Sequence, residues 1–369
     1  MNKSILSISL DPQIAVKNSP AWQRHIEYAQ HFDHYTVIAL NQSNNFKNKY
    51  NYGKLQVFLT NSNWKINSIF KALTIIKQCR GRYKYNVVLA QDPIATGIVA
   101  YLISKKLKIP FYLQFHGSMG FSKYWLKDSW INYLKLPLIK FLIKKANKIR
   151  VVNSQIKKNI LNKYPDKKVV FVPIATDIDY FNKPTVYKKK LKKIISVGRL
   201  IKSKNHIMLC RVFSKLLSKF SDLSLEIIGE GEQRASLEIY IKNNNLSSKI
   251  KLLGILDKKQ IKNKLQQADI YVHSSNHEGW GLAIDEAIAT GLPIVSTKVG
   301  SAGTGLIINN KTGKVVPVGD ELIMTKSLEQ LLKNPKQAYK LSGNGQKLLK
   351  QKYQTQKIKN KWIEFLKNK

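Results

Sequence analysis

The chain has 369 residues, 43% of them hydrophobic, 23% charged and 10% aromatic. That length and balance suit two globular domains with their own cores and exclude a disordered chain or a small disulfide-stapled fold. Lys and Arg number 63 against 22 Asp and Glu, a net charge of +41. The excess either marks an anionic partner (nucleic acid, acidic lipid or a phosphorylated substrate) or follows from a composition rich in Lys, Asn and Ile.

The opening MNKSILSISLDPQ has an apolar run broken by serines and Asp11. It is too short for a secretory signal and reads as a first strand. ILSISL, YTVIAL, LQVFLT, YNVVLA, PFYLQFHG, KIRVVNS and KVVFVPI read as strands, with AWQRHIEYAQH, NSIFKALTIIKQC and ATGIVAYLISKK as helices between them. Ser122 to Arg150, SKYWLKDSWINYLKLPLIKFLIKKANKIR, mixes Tyr124, Trp125, Trp130 and Tyr133 with many lysines and Asp128 as its one acid. Pro137 is expected to divide it into two helical pieces. Such a basic, aromatic-rich stretch suits an interfacial anchor whose Lys140, Lys144, Lys145 and Lys148 meet anionic lipid. It equally suits a domain helix with its apolar face on a sheet. No window reaches the roughly 18 uninterrupted apolar residues of a membrane span. Cys79 and Cys210 lie far apart in apolar-rich segments, which argues against a disulfide and for a reducing cytoplasm.

Charge replaces apolar pattern at YKKKLKK, Tyr187 to Lys193, so a boundary is expected there: a first domain over 1–187, a second over 188–350. Beyond it KIISVGR, LSLEIIGEGE, KIKLLG, DIYVHSS and LPIVST read as strands. NHIMLCRVFSKLLSKF, QRASLEIYIKNNN, KKQIKNKLQQ and GLAIDEAIATG read as helices between them. Strands that are apolar throughout and alternate with helices imply a parallel sheet covered on both faces. Two doubly wound α/β domains follow, facing each other across a cleft, with ligands beyond the carboxyl ends of the strands. Gln346 to Lys369 reads as one lysine-rich helix carrying Trp362 and Phe365, and its 351–369 part is expected to pack back toward the first domain.

Several polar residues stand just after strands. In NHEGWGLAIDEAIATGLPIVST, Gly279 and Gly281 allow a tight turn before a helix that begins near Leu282. Its free N–H groups and positive dipole end make an anion seat. Glu278 precedes that helix and Glu286 lies about one turn inside it, so both can border one ligand. A diphosphate flanked by two sugars has that shape, although two glutamates at this spacing can also be coincidence. Asp285 reads as a solvated helix charge, and Ala287 and Ala289 as packing residues. Arg199 and Lys204, in VGRLIKSKN, follow another strand and suit a diphosphate; in so basic a chain a given lysine is more often a surface charge. Gly229 and Gly231 in IIGEGEQRASLE end a strand without the third glycine of a dinucleotide fingerprint.

Together VGRLIKSKN, IIGEGEQRASLE and HEGWGLAIDEAIATGLPIVST resemble the C-terminal domain of retaining family 4 glycosyltransferases. Their signature is two glutamates with seven residues between them in an EG-aromatic-G…EA…GP frame. The similarity runs from about Ile194 to Asp320 and more loosely through QDPIATG, QFHG and VPIATDIDYF. The resemblance implies the GT-B fold of two facing Rossmann-like domains and transfer of a hexose from a nucleoside-diphosphate sugar to an acceptor hydroxyl with retention. Arg199 and Lys204 match the pair on the donor diphosphate, Glu286 the glutamate on the ribose and Glu278 the glutamate beside the transferred sugar. The backbone through Gly279, Trp280, Gly281 and Leu282 would face sugar and phosphates, and the base would lie near Gly229 and Ile255. His116 resembles the first-domain histidine at the reacting sugar; a structural histidine at a strand end is the plainer alternative.

Many relatives carry a glycine pair after the first strand. Here that loop, SLDPQIAVKNSPAWQRH, has none, and Arg24 can supply contacts instead. The expected partners are the nucleotide sugar, a lipid-linked or oligosaccharide acceptor and an anionic membrane surface, with no specific nucleic acid. The expected place is the cytoplasm, peripheral on the inner face of the plasma membrane, in cell-surface polysaccharide biosynthesis. No cofactor or metal is expected. His273 and His277 have HxxxH spacing at a strand end without the helical HExxH glutamate, and Asp177–Asp179 lies in what resembles an interdomain segment. A nucleotide-sugar epimerase of the same fold, and a basic nucleic-acid-binding protein, are the competing readings.

Overall fold

A computed structural model describes residues 3–43, 45–79, 83–303 and 305–367. Residues 1, 2, 368 and 369, at the ends of the expected first and third segments, lie outside the described residues. The first half runs β1 (Ser4–Ser9), α1 (Pro20–Ala29), β2 (His34–Ala39), β3 (Lys49–Tyr52), β4 (Leu55–Leu59), α2 (Lys65–Cys79), β5 (Val87–Ala90), α3 (Ala95–Leu107), β6 (Phe111–Phe115), α4 (Lys123–Asp128), α5 (Ile131–Lys145), β7 (Lys148–Val151), α6 (Ser154–Lys163), β8 (Val169–Phe171) and α7 (Ile178–Phe181). Among the described residues its strands form one sheet in the order β3-β4-β2-β1-β5-β6-β7-β8, parallel except for β3 at the edge. Side chains alternate along each strand. Leu6, Ile8 and Val88 pack under α2, α3, α5 and α6, and Ile5, Val37 and Leu89 face the other way, toward α1 and the C-terminal helix.

The second half runs β9 (Lys193–Val197), α8 (His206–Leu217), β10 (Ser224–Ile228), α9 (Arg234–Asn243), β11 (Ile250–Leu252), α10 (Lys258–Gln267), β12 (Ile270–His273), α11 (Leu282–Ala289), β13 (Ile294–Thr297), β14 (Lys314–Val316), α12 (Glu321–Lys333), α13 (Pro335–Lys352) and α14 (Thr355–Lys367). Its parallel sheet has the order β11-β10-β9-β12-β13-β14. Numbered within the half this is 3-2-1-4-5-6, the Rossmann order, and its switch point lies between β9 and β12. In the first sheet the corresponding switch lies between β1 and β5. The fold is α/β with two facing Rossmann-like halves, the GT-B arrangement.

Three expectations about elements need correction. Pro137 does not divide its segment: α5 runs through it, held down by Ile139, Leu142 and Ile143 on the sheet. The break falls earlier, at extended Ser129. The C-terminal stretch is two helices, α13 and α14, separated at Tyr353. α14 lies on the first sheet, where Trp362 stacks on Tyr28 with ring centres 3.9 Å apart and Phe365 packs on Tyr112. Lys148 is not a surface residue either. It sits on β7, 3% exposed, and donates to the Phe365 carbonyl at 2.8 Å.

Candidate active site

The loop from His273 to Leu282 closes onto both halves. β12 delivers His273 buried, and the chain then turns through Glu278, Gly279 and Trp280 to α11. Glycine at 279 is forced by contact: a Cβ there would lie 1.8 Å from the carbonyl oxygen of His116, at the end of β6 in the other half. From the end of β7, Asn153 donates its side-chain amide to the Gly279 carbonyl at 2.7 Å while capping α6. Gly281, the N-cap of α11, has φ +94°, a conformation that favours glycine. Leu282, the first residue of α11, borders a cavity lined by residues of the first half.

Glu278 is ion-paired with Lys204, which a short 3-10 turn after β9 brings to it. His273 Nε2 lies 3.5 Å from the same carboxylate oxygen. Burial works against the charge on Glu278, but His273 and the Lys204 ammonium outweigh it and hold the carboxyl well below the usual range. At that distance the histidine contact is weak, so the directly touching ammonium carries most of the effect. Glu286 is the opposite case. It has no salt bridge among the described residues, and burial raises its pKa to about 7 despite Lys258 nearby. Arg199, exposed after β9, likewise makes no side-chain hydrogen bond or ion pair among the described residues. Gly229 and Gly254 pair as a β-bridge, and next to them Ile255 is 81% exposed, an apolar side chain held out at the sheet end. His116 borders a cavity of about 290 Å³ that also touches Leu282. Burial, with Arg150 and Arg24 nearby, lowers its pKa to about 3, so the ring is neutral near pH 7.

Residues 26–180 match the family described as Glycosyltransferase Family 4, and residues 177–348 the one described as Glycosyl transferases group 1. The chain belongs to these group 1, family 4 glycosyltransferases. It is 31% identical to Protein CapJ of Staphylococcus aureus over 242 residues, 64% of this chain and 60% of CapJ. It is 35% identical over 153 residues to the N-acetylgalactosamine-N,N'-diacetylbacillosaminyl-diphospho-undecaprenol 4-alpha-N-acetylgalactosaminyltransferase of Campylobacter jejuni, 41% of this chain and 40% of that protein. Both matches span less than two thirds of the relative's length. The structure of Anabaena HepE in complex with UDP and glucose superposes with a TM-score of 0.74 at 15% identity, covering 99% of each chain.

In this family member the structure brings Lys204 to Glu278, Gly279 to His116 and Gly229 to the Arg199 backbone around the cleft, with one correction, at Asp285. The Trp280 side chain does not face the cleft. The indole is buried against Phe171 and Tyr353, and its Nε1–H donates to Asp285 at 2.5 Å, so only the backbone of Trp280 can meet a ligand. Asp285 is not a solvated charge: it is 1% exposed and also accepts from Thr176. Burial raises its pKa to about 8 against the two donors. Asn153, His273 and the Thr176–Asp285–Trp280 latch were missed. For Asn153 a signal existed: VVNSQ is a strand end running into an N-cap. His273 had only the HxxxH spacing, which reads as chance. Among the described residues no three His, Cys, Asp or Glu side chains converge to hold a metal ion. Asp177 instead caps α7 and pairs with Lys258 at 2.8 Å, and His277 pairs with Asp128 across the cleft at 2.6 Å.

Proposed function

We propose that the protein is a retaining glycosyltransferase that moves a hexose from a nucleoside-diphosphate sugar to a hydroxyl of a lipid-linked or oligosaccharide acceptor, in cell-surface polysaccharide assembly. The observation that carries this reading is the start of α11, with the Lys204–Glu278 pair before it, Glu286 inside it and Arg199 after β9, the neighbour of β12; among the described residues Arg199 and Glu286 have no salt bridge. Unpaired charge of both signs around one helix start suits a ligand with an anionic centre and hydroxyls on either side. The diphosphate would accept from the α11 N–H groups and Arg199. Lys204 would turn from Glu278 to the leaving oxygen, meeting the charge that develops there. Glu278, so released, would accept from a hydroxyl of the transferred sugar, and Glu286 from the ribose. Ile255 offers the base an apolar face beside Gly229. The neutral His116 ring can hydrogen-bond the sugar from the first half. Charge on the leaving group is met by these cations and the helix start, so the reading assigns no metal. The complex of HepE with UDP and glucose, and the printed activity of the Campylobacter relative on a diphospho-undecaprenol acceptor, support it.

The reading includes an anionic membrane surface at the cytoplasmic face. Among the described residues no helix is long and apolar enough to cross a membrane. The sequences of α2, α3, α5 and α6, which cover one face of the first sheet, contain lysines and no Asp or Glu. Trp130, Tyr133 and Leu134 are exposed there, Trp130 at 72%. Cations around exposed aromatics suit an anionic interface.

The test is to offer UDP-, GDP- and ADP-sugars with candidate acceptors and to follow the anomeric proton by NMR. One donor should be consumed and its configuration kept in the product. Epimer formation without acceptor would favour the epimerase, and inertness toward every nucleotide sugar would sink the reading.

A further inference from the structure

The cavity of about 290 Å³ beside His116 has a composition that the donor reading does not explain. It lies between α1, α14 and the β6–β7 side of the first sheet. Arg24, Arg150, Gln91 and Gln114 line it together with His25 and His116, and no Asp or Glu does. Arg150 projects from the middle of β7 and is 6% exposed. Its guanidinium donates to Gln114 Oε1 at 2.5 Å, to the Val172 carbonyl at 3.0 Å and to the Pro173 carbonyl at 2.9 Å. All three acceptors are neutral. A guanidinium has five N–H donors, so two remain. Burial lowers its pKa only to about 10, leaving it charged near pH 7. Arg24, on α1, has no hydrogen bond or ion pair among the described residues, and its charge acts on Arg150 and His116 unfavourably.

The other polar groups cannot neutralise these two cations. His25 donates from Nδ1 to the Ala21 carbonyl at 2.8 Å, which leaves Nε2 as an acceptor facing the Gln91 amide. Gln91 is fixed in turn by Ser9. A buried cation without a counter-charge costs several kcal/mol. Arg150 is buried and Arg24 is exposed to solvent, and a buried guanidinium facing a cavity without a carboxylate makes sense where a ligand brings the negative charge. Exposed lysines without an acid partner are solvated; Arg150, buried on β7, is not.

We propose that this cavity seats a phosphoryl group of the acceptor, distinct from the diphosphate of the nucleotide. The inference rests on the transferase reading above and narrows it. The acceptor is a phosphorylated or diphosphorylated sugar, held by its phosphate near the hydroxyl that reacts. Two guanidinium forks suit the tetrahedral oxygens of a phosphate. Because Leu282 borders the same cavity, a group held there lies next to the start of α11, where the sugar would be transferred.

The experiment is calorimetric titration of inorganic pyrophosphate into the full chain, with and without a saturating nucleoside diphosphate. Pyrophosphate should bind on top of the nucleotide at one equivalent. Arg24→Gln should weaken pyrophosphate binding by about tenfold or more, the range of a lost charged hydrogen bond, and leave nucleotide affinity unchanged. Lys340→Gln, on exposed α13, controls for attraction to a cationic protein and should change neither. No second anion with nucleotide present, an equal loss of nucleotide affinity in Arg24→Gln, or an equal loss of pyrophosphate in Lys340→Gln would overturn the proposal. If the wild type binds no nucleotide, the transferase reading fails separately. Loss of pyrophosphate binding in Arg24→Gln, measured without nucleotide, then still supports the anion seat, and absence of pyrophosphate binding by the wild type refutes it.

Discussion

Glu278 and Glu286 share one short segment, and their surroundings push them apart: the first is held ionised by Lys204, the second is raised by burial to about pKa 7. Ribose hydroxyls donate to a carboxylate better than to a carboxylic acid. Nucleotide affinity should therefore gain between about pH 6 and pH 8 as Glu286 ionises. Glu286→Gln should lack that gain, and matching pH profiles for the two proteins by calorimetry would contradict the assignment. Asp285 yields a stability prediction of opposite use. Its folded pKa, about 8, lies above the ordinary aspartate value of 3.8, so the folded state binds the proton more tightly. The stability it contributes is full in acid and is lost as pH rises from about 4 through about 8. Asp285→Asn keeps acceptors for Trp280 and Thr176 and should flatten the fall of melting temperature across that window. An unchanged pH dependence in the variant would show that Asp285 is not the titrating group.

At the scale of elements, the second half was more legible than the first. Most of its strands are apolar, because both faces of a parallel sheet are covered, and β9 and β10 run directly into Gly198 and Gly229. β3, KYNY, was invisible: its four residues alternate between exposed and half-buried at an antiparallel edge, with no apolar run to detect. The motif residues were legible as a cluster because they follow strand ends. The roles of Trp280 and Asp285 were not, since their burial depends on Phe171, Thr176 and Tyr353, which are distant in sequence. Contact between halves gives a prediction here. Gly279→Ala places a methyl into the His116 carbonyl, so the loop must shift by an ångström or so. Transfer should fall by about a hundredfold while the melting profile still shows a folded chain. Wild-type turnover would mean that the halves need not meet at this point. α5 supplies a second prediction. Lys140→Gln, Lys144→Gln and Lys145→Gln together should release the protein from anionic vesicles, with Lys148 left alone because it is buried. Equal sedimentation of wild type and triple variant with anionic vesicles would contradict a role for α5 at the membrane.

For the whole molecule, the two halves face each other across one cleft, each with cations beside it: Arg199 and Lys204 from the second half, Arg24 and Arg150 from the first. The charge excess that the composition left open between bias and function is thus uneven in its use. Many lysines of the second half pair with Asp or Glu on neighbouring elements, whereas the cleft arginines and the lysines of α5 have no acid partner among the described residues. The fold class, the facing halves and the family were readable from motifs after strands. The anion cavity was not, because Arg24, Gln91, Gln114 and Arg150 come from four separate elements. The central claim is that the start of α11 holds a nucleoside diphosphate. Calorimetry of UDP, GDP and ADP binding to the wild type, Arg199→Ala and Glu286→Ala tests it most directly. One nucleotide should bind the wild type at one equivalent, and each variant should lose about 1–3 kcal/mol of that affinity. Binding by none of the three nucleotides, or undiminished binding by both folded variants, would contradict it.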